Sequence, residues 1–253
     1  MIVVSGAMRS GTSAWMQILG AAGFRVLGDA FNTRAGEHLR EGNPRGFFET
    51  PFVAGVWWAT NPDPETGAWL APAAGRRLAV KVFVPGLTRT DIAYLDHVLA
   101  TFRDWRSFGP SLRRLRALAP ADRPRPPEPP IPEAIDWWFC VYDLLRDAAT
   151  RGYPLRILSY ERLLADPEAT TRRVLDWLGA GDAAAAARAV APELRTQSPS
   201  ATEGEALEPE LRALFDELYD HLHRERALAP AFVEELNRAH GTIVERWPGR
   251  AAL

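Results

Sequence analysis

The sequence predicts an α/β fold built around a mainly parallel sheet. An apolar run at residues 2–4 leads into a loop between Gly6 and Gly11, and a helical pattern follows that loop at once. Further short apolar runs alternate with helical patterns, and 47% of the 253 residues are apolar, which is enough for a substantial core. We therefore expect a single domain over residues 1–253, with helices on both faces of the sheet and a mostly helical C-terminal part over residues 180–253.

Composition and charge exclude several classes of protein. The net charge is −2 and no long basic run is present, so a nucleic-acid-binding surface is not expected. The single cysteine, Cys140, excludes an intramolecular disulfide, a CxxC redox pair and a cysteine-based zinc site, and its apolar neighbours predict a buried thiol. No apolar run reaches about 18 residues and no signal peptide is evident, so we expect a cytoplasmic protein, and we expect no metal site.

The loop between Gly6 and Gly11 predicts a phosphate cradle. Glycine permits backbone angles that a Cβ would resist, and the helix that follows directs its positive end and its first amides at the loop. The amides expected to converge on an anion belong to four consecutive residues, Ser10, Gly11, Thr12 and Ser13. Arg9 adds a positive charge beside them. An ATP- or GTP-binding loop of this length has a lysine after its second glycine, whereas this chain has Thr12 there.

The five residues from Arg9 to Ser13 resemble the 5′-phosphosulfate loop of sulfotransferases, which use 3′-phosphoadenosine 5′-phosphosulfate (PAPS). After the first helix and a short strand, a polar segment up to Gly46 predicts a loop above the cofactor end of the sheet. The segment from Asn43 to Glu49, Asn-Pro-Arg-Gly-Phe-Phe-Glu, resembles an element of a bacterial branch of the same family. The alternative for this segment is a turn with packed aromatic side chains and a solvated glutamate.

A helix is expected over residues 51–60 and a loop over residues 61–75. Residues 78–84 then predict a buried strand that is apolar except for Lys81. A lysine in such a run costs free energy unless its ammonium meets an anion or reaches solvent at the strand end. In sulfotransferases the corresponding lysine contacts the bridging oxygen of the phosphosulfate, and in the cytosolic enzymes a catalytic histidine lies two residues further on. In this chain that position is Phe83.

Residues 97–103 predict the next strand, and Ser111 is expected in a basic helix after an intervening loop. A doubly wound fold presents ligand-binding groups at the carboxyl end of a strand and in the following helix. An arginine and a serine at this spacing bind the 3′-phosphate of PAPS in sulfotransferases, so the resemblance assigns Arg103 and Ser111 to that phosphate. The family usually has a proline two residues after the arginine, where this chain has Trp105.

Residues 155–160 predict the last strand. The chain from Tyr160 to Gly179 resembles the Tyr-Glu-x-Leu-x-x-Asp-Pro…Leu-x-x-Leu-Gly block of sulfotransferases, with Arg162 in place of an aspartate. The resemblance assigns Tyr160 to the adenine, and it places Arg195 where some members return a basic loop to the nucleotide. Without the resemblance, this block is an ordinary junction between a strand and a helix.

The remaining segments carry no clear ligand chemistry. Seven prolines between residues 119 and 132 predict an exposed loop or lid. A helix follows up to residue 145, in which Trp137 and Trp138 belong either to the core or to an acceptor pocket. Further helices are expected over residues 183–190, 208–224 and 230–247.

Four blocks thus occur in the order of the sulfotransferase family across residues 2–179. The resemblance implies a P-loop-like, doubly wound sheet and transfer of a sulfuryl group from PAPS to a hydroxyl or amine of a small-molecule acceptor, which leaves PAP. Arg9 and Lys81 would stabilise charge on the leaving oxygen. Two other hypotheses stay open, a P-loop kinase that uses ATP and magnesium and a non-catalytic nucleotide-binding protein on the same fold.

The base that removes the acceptor proton requires a separate assignment, because Phe83 cannot accept a proton. The candidates are Glu49, which ends the Asn-Pro-Arg-Gly-Phe-Phe-Glu segment, and His38, eleven residues earlier. Glu49 is favoured because neighbouring aromatic side chains can raise the pKa of a carboxylate and because other sulfotransferase branches use a glutamate. His38 has the more suitable unperturbed pKa but no motif around it.

Overall fold

The structure, a computed structural model, describes residues 1–31, 38–61, 66–118, 131–195 and 207–248, without the side chains of His38 and Leu39. The proline-rich segment expected over residues 119–132 therefore lies almost wholly outside the described residues. Within the described ranges, no helix has both the length and the apolar character needed to cross a bilayer.

A five-stranded sheet forms the centre of the molecule. Its strands are β1 (Ile2–Gly6), β2 (Arg25–Val26), β3 (Leu78–Lys81), β4 (His97–Phe102) and β5 (Leu155–Ser159). They are ordered β2-β3-β1-β4-β5, and every neighbouring pair is parallel. The predicted α/β class with a mainly parallel sheet is therefore confirmed.

Helices connect and cover these strands. In chain order they are α1 (Thr12–Ala21), α2 (His38–Gly42), α3 (Pro72–Gly75), α4 (Val84–Leu87), α5 (Trp105–Ala117), α6 (Glu133–Arg151), α7 (Tyr160–Ala165), α8 (Pro167–Leu178), α9 (Ala183–Ala189), α10 (Pro209–His223) and α11 (Pro230–Arg246). Short 3-10 turns lie at Pro51–Ala54, Ile92–Tyr94 and Pro192–Leu194.

Both faces of the sheet are buried, which explains why its strands are nearly continuous apolar runs. In β1, Ile2 and Val4 pack with Trp15 of α1 on one face, whereas Val3 packs with Trp138 of α6 on the other. The two strands at the centre approach each other closely. A Cβ on Gly6 would lie 2.1 Å from the carbonyl oxygen of Thr101 in β4, and the φ angle of Gly6 is +138°.

The order of the strands predicts a cleft beside the carboxyl ends of β1 and β4. The chain leaves β1 through α1 toward β2 at one edge, whereas it leaves β4 through α5 and α6 toward β5 at the other edge. In open α/β sheets a cleft forms outside the carboxyl ends of two neighbouring strands that continue in opposite directions. The register brings these strand ends level, with Gly6 opposite Thr101 and Phe102 opposite Ser159.

The C-terminal helices α10 and α11 share the core of one face of the sheet. Phe215 of α10 is completely buried and stacks on Trp138, with ring centroids 5.0 Å apart. Trp137 and Trp138 are themselves completely buried, so they are core residues and not walls of an acceptor pocket. Cys140 is also buried, as predicted. This shared core supports our proposal that the chain is a single domain.

Several element boundaries differ from the sequence predictions. The strand expected over residues 78–84 ends at Lys81, because the chain turns there and Pro85 lies in the first turn of α4. The helix expected over residues 51–60 is only a 3-10 turn at Pro51–Ala54. Gly55 ends it at φ +113°, where its missing side chain leaves room for the carbonyl of Gly86.

The basic helix that carries Ser111 begins earlier than expected. The prediction had a loop from Asp104 to Pro110, but α5 begins at Trp105 and includes Pro110. Asp104 caps this helix, since its Oδ1 accepts a hydrogen bond from the amide of Arg106 at 2.7 Å. Similarly, Tyr160 begins α7 instead of ending β5, and Ser159 caps α7 by accepting a hydrogen bond from the amide of Arg162.

Phe215→Ala tests the proposal of a single domain. Because this side chain of α10 is completely buried against α6, we expect the free energy of unfolding to fall by about 3–5 kcal/mol. The sheet and the C-terminal helices should still unfold in one transition. Chemical denaturation followed by circular dichroism measures both.

Trp58→Ala is the matched control, because this aromatic side chain is 77% exposed. Its loss should change the free energy of unfolding by no more than about 0.5 kcal/mol. Two separate transitions, of which Phe215→Ala moves only one, would show that the C-terminal helices form a unit of their own.

Candidate active site

One cleft at the carboxyl edge of the sheet collects most of the predicted site residues. It encloses about 990 Å³ of empty space, part of which is open to solvent. The predicted residues that line it are Arg9, Gly11, Thr12, Ser13, Glu49, Lys81, Arg103, Ser111, Tyr160 and Arg195. Ser10 lies beneath the surface of the cleft, and the side chain of His38 lies outside the described residues.

The loop after β1 presents the N-terminus of α1 to the cleft. Arg9 and Gly11 adopt left-handed φ angles of +68° and +95°, and α1 begins at Thr12 without a side-chain cap. The amide of Trp15 donates to the carbonyl of Gly11, so the amides of the first helical turn have no acceptor within the helix. Such an N-terminus attracts anions through its amides and its dipole.

Ser10 differs from the prediction that its amide faces the anion. This amide donates to the carbonyl of Ala7 at 3.3 Å, and the Ser10 side chain is completely buried. Its carbonyl accepts a hydrogen bond from Oγ1 of Thr101 at 2.9 Å. Ser10 therefore attaches the loop to β4 and does not face the cleft.

Arg9 and Arg103 bring two positive charges to the same side of the cleft. Nε of Arg9 donates to Oγ of Ser111 at 3.4 Å, and its Nη2 donates to the carbonyl of Gly42 at 3.0 Å. Arg103 is only 4% exposed, and its buried Nε has no hydrogen-bond partner among the described residues. Its carbonyl is fixed by Nε1 of Trp137 at 3.0 Å.

The electrostatics of these two arginines favour an anion. Burial lowers the pKa of Arg9, and the charge of Arg103 lowers it further. Burial is also the main reason that the pKa of Arg103 is lowered. Guanidinium groups nevertheless remain charged in proteins, so both cations stay in a space that solvates them poorly. An anion between Arg9 and Arg103 would relieve the cost of burial and their mutual repulsion.

Lys81 lies at the end of β3 and is 2% exposed. Its ammonium donates to Oγ of Ser13 at 3.3 Å, to the carbonyl of Phe47 at 2.9 Å and to Oε1 of Glu49 at 2.8 Å. Burial lowers the pKa of Lys81, and the charge of Glu49 opposes this shift. The lysine thus meets an anion within the protein and does not extend into solvent.

Glu49 remains accessible from the cleft, with 36% of its side chain exposed. It is therefore not simply a solvated glutamate, since it holds the ammonium of Lys81. The aromatic rings of Phe83 and Phe47 lie 4.9 and 5.8 Å from that ammonium. The cleft therefore combines a carboxylate, an ammonium and two apolar rings at the end of β3.

Tyr160 packs against the start of α1. A Cβ on Gly11 would lie 2.6 Å from Cδ2 of the Tyr160 ring, and the guanidinium carbon of Arg103 lies 5.1 Å from the ring centre. Burial raises the pKa of Tyr160, and the charges of Arg103 and Arg195 oppose this shift. Tyr160 thus joins the helix N-terminus to the arginines, and Arg195 contributes a further positive charge nearby.

Two backbone carbonyls of the site could not be predicted from the sequence. The backbone carbonyls of Gly42 and Phe47 accept hydrogen bonds from Arg9 and Lys81. Any residue supplies a carbonyl, so only the folded path of the chain reveals these acceptors. Among the described residues, no group of three or more His, Cys, Asp and Glu side chains is placed to hold a metal ion.

Comparisons with known proteins show little sequence similarity. No protein-family model matches the chain, and no curated protein matches it. Among solved structures, the sulfotransferase domain from the Synechococcus PCC 7002 olefin synthase is similar to it at 15% sequence identity and a TM-score of 0.41. This similarity covers 95% of this chain and 94% of that domain. A similarity at this level assigns no role to any residue of the cleft.

Gly11→Ala tests the contact between the loop and Tyr160. The added Cβ would displace the Tyr160 ring, so we expect the affinity for inorganic pyrophosphate to fall about tenfold, or about 1.4 kcal/mol. Calorimetric titration with pyrophosphate measures the effect.

Gly179→Ala is the control, because Gly179 also has a left-handed φ angle, +68°, but a Cβ there meets nothing within 4 Å. It should destabilise the protein by about 1 kcal/mol and leave pyrophosphate affinity unchanged. Wild-type affinity in Gly11→Ala would show that Tyr160 does not shape the anion site.

Proposed function

We propose that this protein is a sulfotransferase that moves a sulfuryl group from PAPS to a hydroxyl or amine of a small-molecule acceptor and releases PAP. One observation carries the proposal. Arg9 and the buried Arg103 share a cleft with the uncapped N-terminus of α1, and the buried Nε of Arg103 has no hydrogen-bond partner among the described residues. A ligand with several anionic groups suits this arrangement.

The residues of the cleft fit a nucleotide with phosphate groups at two positions. Arg103 and Ser111 would hold the 3′-phosphate, while the first amides of α1 would hold the 5′-phosphosulfate. Arg9 donates to Ser111 and lies within the loop after β1, so its charge would serve both groups. Tyr160, packed on Gly11, would border the adenosine.

The chemistry would occur where Lys81 and Glu49 meet. Bound PAPS supplies the sulfuryl group and a good leaving group. The ammonium of Lys81 would neutralise the charge that develops on the departing oxygen, and Glu49 would accept the proton of the acceptor hydroxyl or amine. Because Lys81 Nζ and Glu49 Oε1 are 2.8 Å apart, both groups act on the same small volume. Positioning and electrostatics then provide most of the catalysis.

Glu49 is the proposed base because it is the carboxylate that lines the cleft beside Lys81. A general base must lie within hydrogen-bonding reach of the proton that it removes. His38 stays an alternative, since α2 begins at this residue but its side chain is outside the described part of the chain.

The main competing function is phosphoryl transfer from ATP and magnesium. It is disfavoured because Thr12 occupies the position of the lysine that binds the terminal phosphates in ATP-binding loops. Calorimetric titrations with PAP and with ATP-magnesium distinguish the two enzymes. We expect PAP to bind equally well with and without EDTA; preferential binding of ATP-magnesium would refute the sulfotransferase proposal.

Arg103→Ala tests the assignment of the 3′-phosphate. We expect the variant to lose about 1.5–3 kcal/mol of PAP binding, roughly ten- to over a hundredfold in affinity. Its affinity for 5′-AMP, which has no 3′-phosphate, should change little. Arg238→Ala is the matched control, since Arg238 is exposed on α11 and does not line the cleft, so this variant should bind PAP like the wild type. Equal losses for PAP and 5′-AMP would mean that Arg103 supports the fold instead of binding the phosphate.

Glu49→Gln tests the base. The glutamine keeps an oxygen that can accept from Lys81 but cannot take up a proton, so PAP affinity should stay near that of wild type. Turnover should fall by about 10² to 10⁴. The assay follows transfer from radiolabelled PAPS to an acceptor found by screening small alcohols, phenols and amines.

Two further variants make the result for Glu49→Gln decisive. Glu41→Gln removes an exposed carboxylate from α2 and should be fully active. If His38→Asn abolishes turnover while Glu49→Gln does not, the histidine is the base. If both variants are fully active, neither residue is the base and Glu49 serves to hold Lys81.

A further inference from the structure

Helix α10 brings two polar side chains to the residues that flank Tyr160. The hydroxyl of Tyr219 donates a hydrogen bond to Oε2 of Glu161. One helical turn later, Nδ1 of His223 lies 2.7 Å from Oγ of Ser159. Residues four apart share a helix face, so one face of α10 contacts both sides of the junction between β5 and α7.

Glu161 and Arg103 carry opposite charges close to the cleft. The buried Nε of Arg103 and the buried Oε1 of Glu161 both have no hydrogen-bond partner among the described residues. The charge of Glu161 raises the pKa of Arg103 against the effect of burial, so the two groups interact. A buried carboxylate and a guanidinium normally gain from closing a hydrogen-bonded ion pair. Here the other oxygen of Glu161 is held by Tyr219.

We propose that Tyr219 is a positioning residue of the anion site, because its hydroxyl holds one oxygen of the Glu161 carboxylate, keeps Glu161 from pairing with Arg103 and leaves the guanidinium available to an anion. The inference rests on the part of the proposed function that assigns Arg103 to anion binding. Burial and the charge of Glu161 raise the pKa of Tyr219. The hydroxyl therefore keeps its proton and remains a donor to Glu161.

The position of Tyr219 is itself fixed by contacts of α10 beside the site. Oδ1 of Asp216, one turn before Tyr219, accepts a hydrogen bond from Nε1 of Trp105 at 2.9 Å, and its carboxylate also pairs with Arg106. The Tyr219 ring contacts Trp137, which in turn holds the carbonyl of Arg103. The helix is thus attached to the same strand end that carries Arg103.

Loss of the Tyr219 hydroxyl would free the Glu161 carboxylate to pair with Arg103. An anion would then have to break this internal ion pair before it could bind. When only a fraction of the molecules is competent to bind, the apparent dissociation constant equals the intrinsic dissociation constant divided by that fraction. If Glu161 occupies Arg103 in nine of ten molecules, the apparent affinity falls about tenfold.

The test measures the affinity for inorganic pyrophosphate by calorimetry in the full-length protein. We expect Tyr219→Phe to weaken pyrophosphate binding about tenfold while changing the melting temperature little, since the ring is retained. Tyr142→Phe is the matched control. Its hydroxyl donates to Oδ1 of Asn237 at 2.8 Å, away from the cleft, so the variant should bind pyrophosphate like the wild type.

The variant Glu161→Gln distinguishes a positioning role of Tyr219 from a role of Tyr219 in packing alone. Removing the negative charge should leave pyrophosphate affinity at the wild-type level or above it. The double variant with Tyr219→Phe and Glu161→Gln should bind like Glu161→Gln alone, because no carboxylate is left to pair with Arg103. A double variant as weak as Tyr219→Phe would overturn the inference, as would wild-type affinity in Tyr219→Phe.

The same four proteins distinguish this inference from the proposed function. If PAP does not bind but pyrophosphate affinities follow the expected pattern, the sulfotransferase proposal fails and the role of Tyr219 stands. If PAP binds to the wild type and equally well to Tyr219→Phe, Glu161→Gln and the double variant, the role of Tyr219 fails and the sulfotransferase proposal stands.

Discussion

Positive charge buried at one edge of the sheet is the constraint on which the site depends. Taking an ionised group out of water costs several kcal/mol unless partners compensate for it. Lys81 is compensated by Glu49, and Arg9 by the carbonyl of Gly42 and the hydroxyl of Ser111. Arg103 keeps a buried Nε without a hydrogen-bond partner in the described part of the chain. An anion in the cleft would supply a partner for this group.

The surrounding fold holds these cations where they repel each other. Thr101 attaches the carbonyl of Ser10, and with it the loop between β1 and α1, to β4. Trp137 fixes the carbonyl of Arg103 and packs against Phe215 of α10. The apolar core thus stabilises the polar site, because rigid packing prevents the charged side chains from relaxing into solvent. Because the charged side chains of such a site are already held in place, the energy of anion binding can orient the ligand and is not consumed in rearranging the protein.

Local patterns predicted the fold class and most of the cleft. A glycine loop between a strand and a helix is visible in a few consecutive residues, and so is a cation at the end of a strand. Parallel strands then bring their carboxyl ends to one edge of the sheet. Lys81, Arg103 and Tyr160 therefore line the same cleft. The prediction for the Ser10 amide was wrong because the loop closes a turn onto Ala7. The predicted start of α5 was wrong, because Asp104 caps a helix that begins at Trp105 and includes Gly109 and Pro110.

The sequence by itself determined an α/β protein with a glycine loop after its first strand, a lysine in a buried strand and an arginine at a strand end, since each is a pattern within about ten consecutive residues. Only the tertiary structure decided how these groups are partnered. Lys81 pairs with Glu49 across 32 residues, Tyr219 bonds Glu161 across 58, and Arg9 reaches Ser111 across 102. Such contacts depend on how the sheet and helices pack, and no local pattern specifies which distant side chain will neutralise a buried charge.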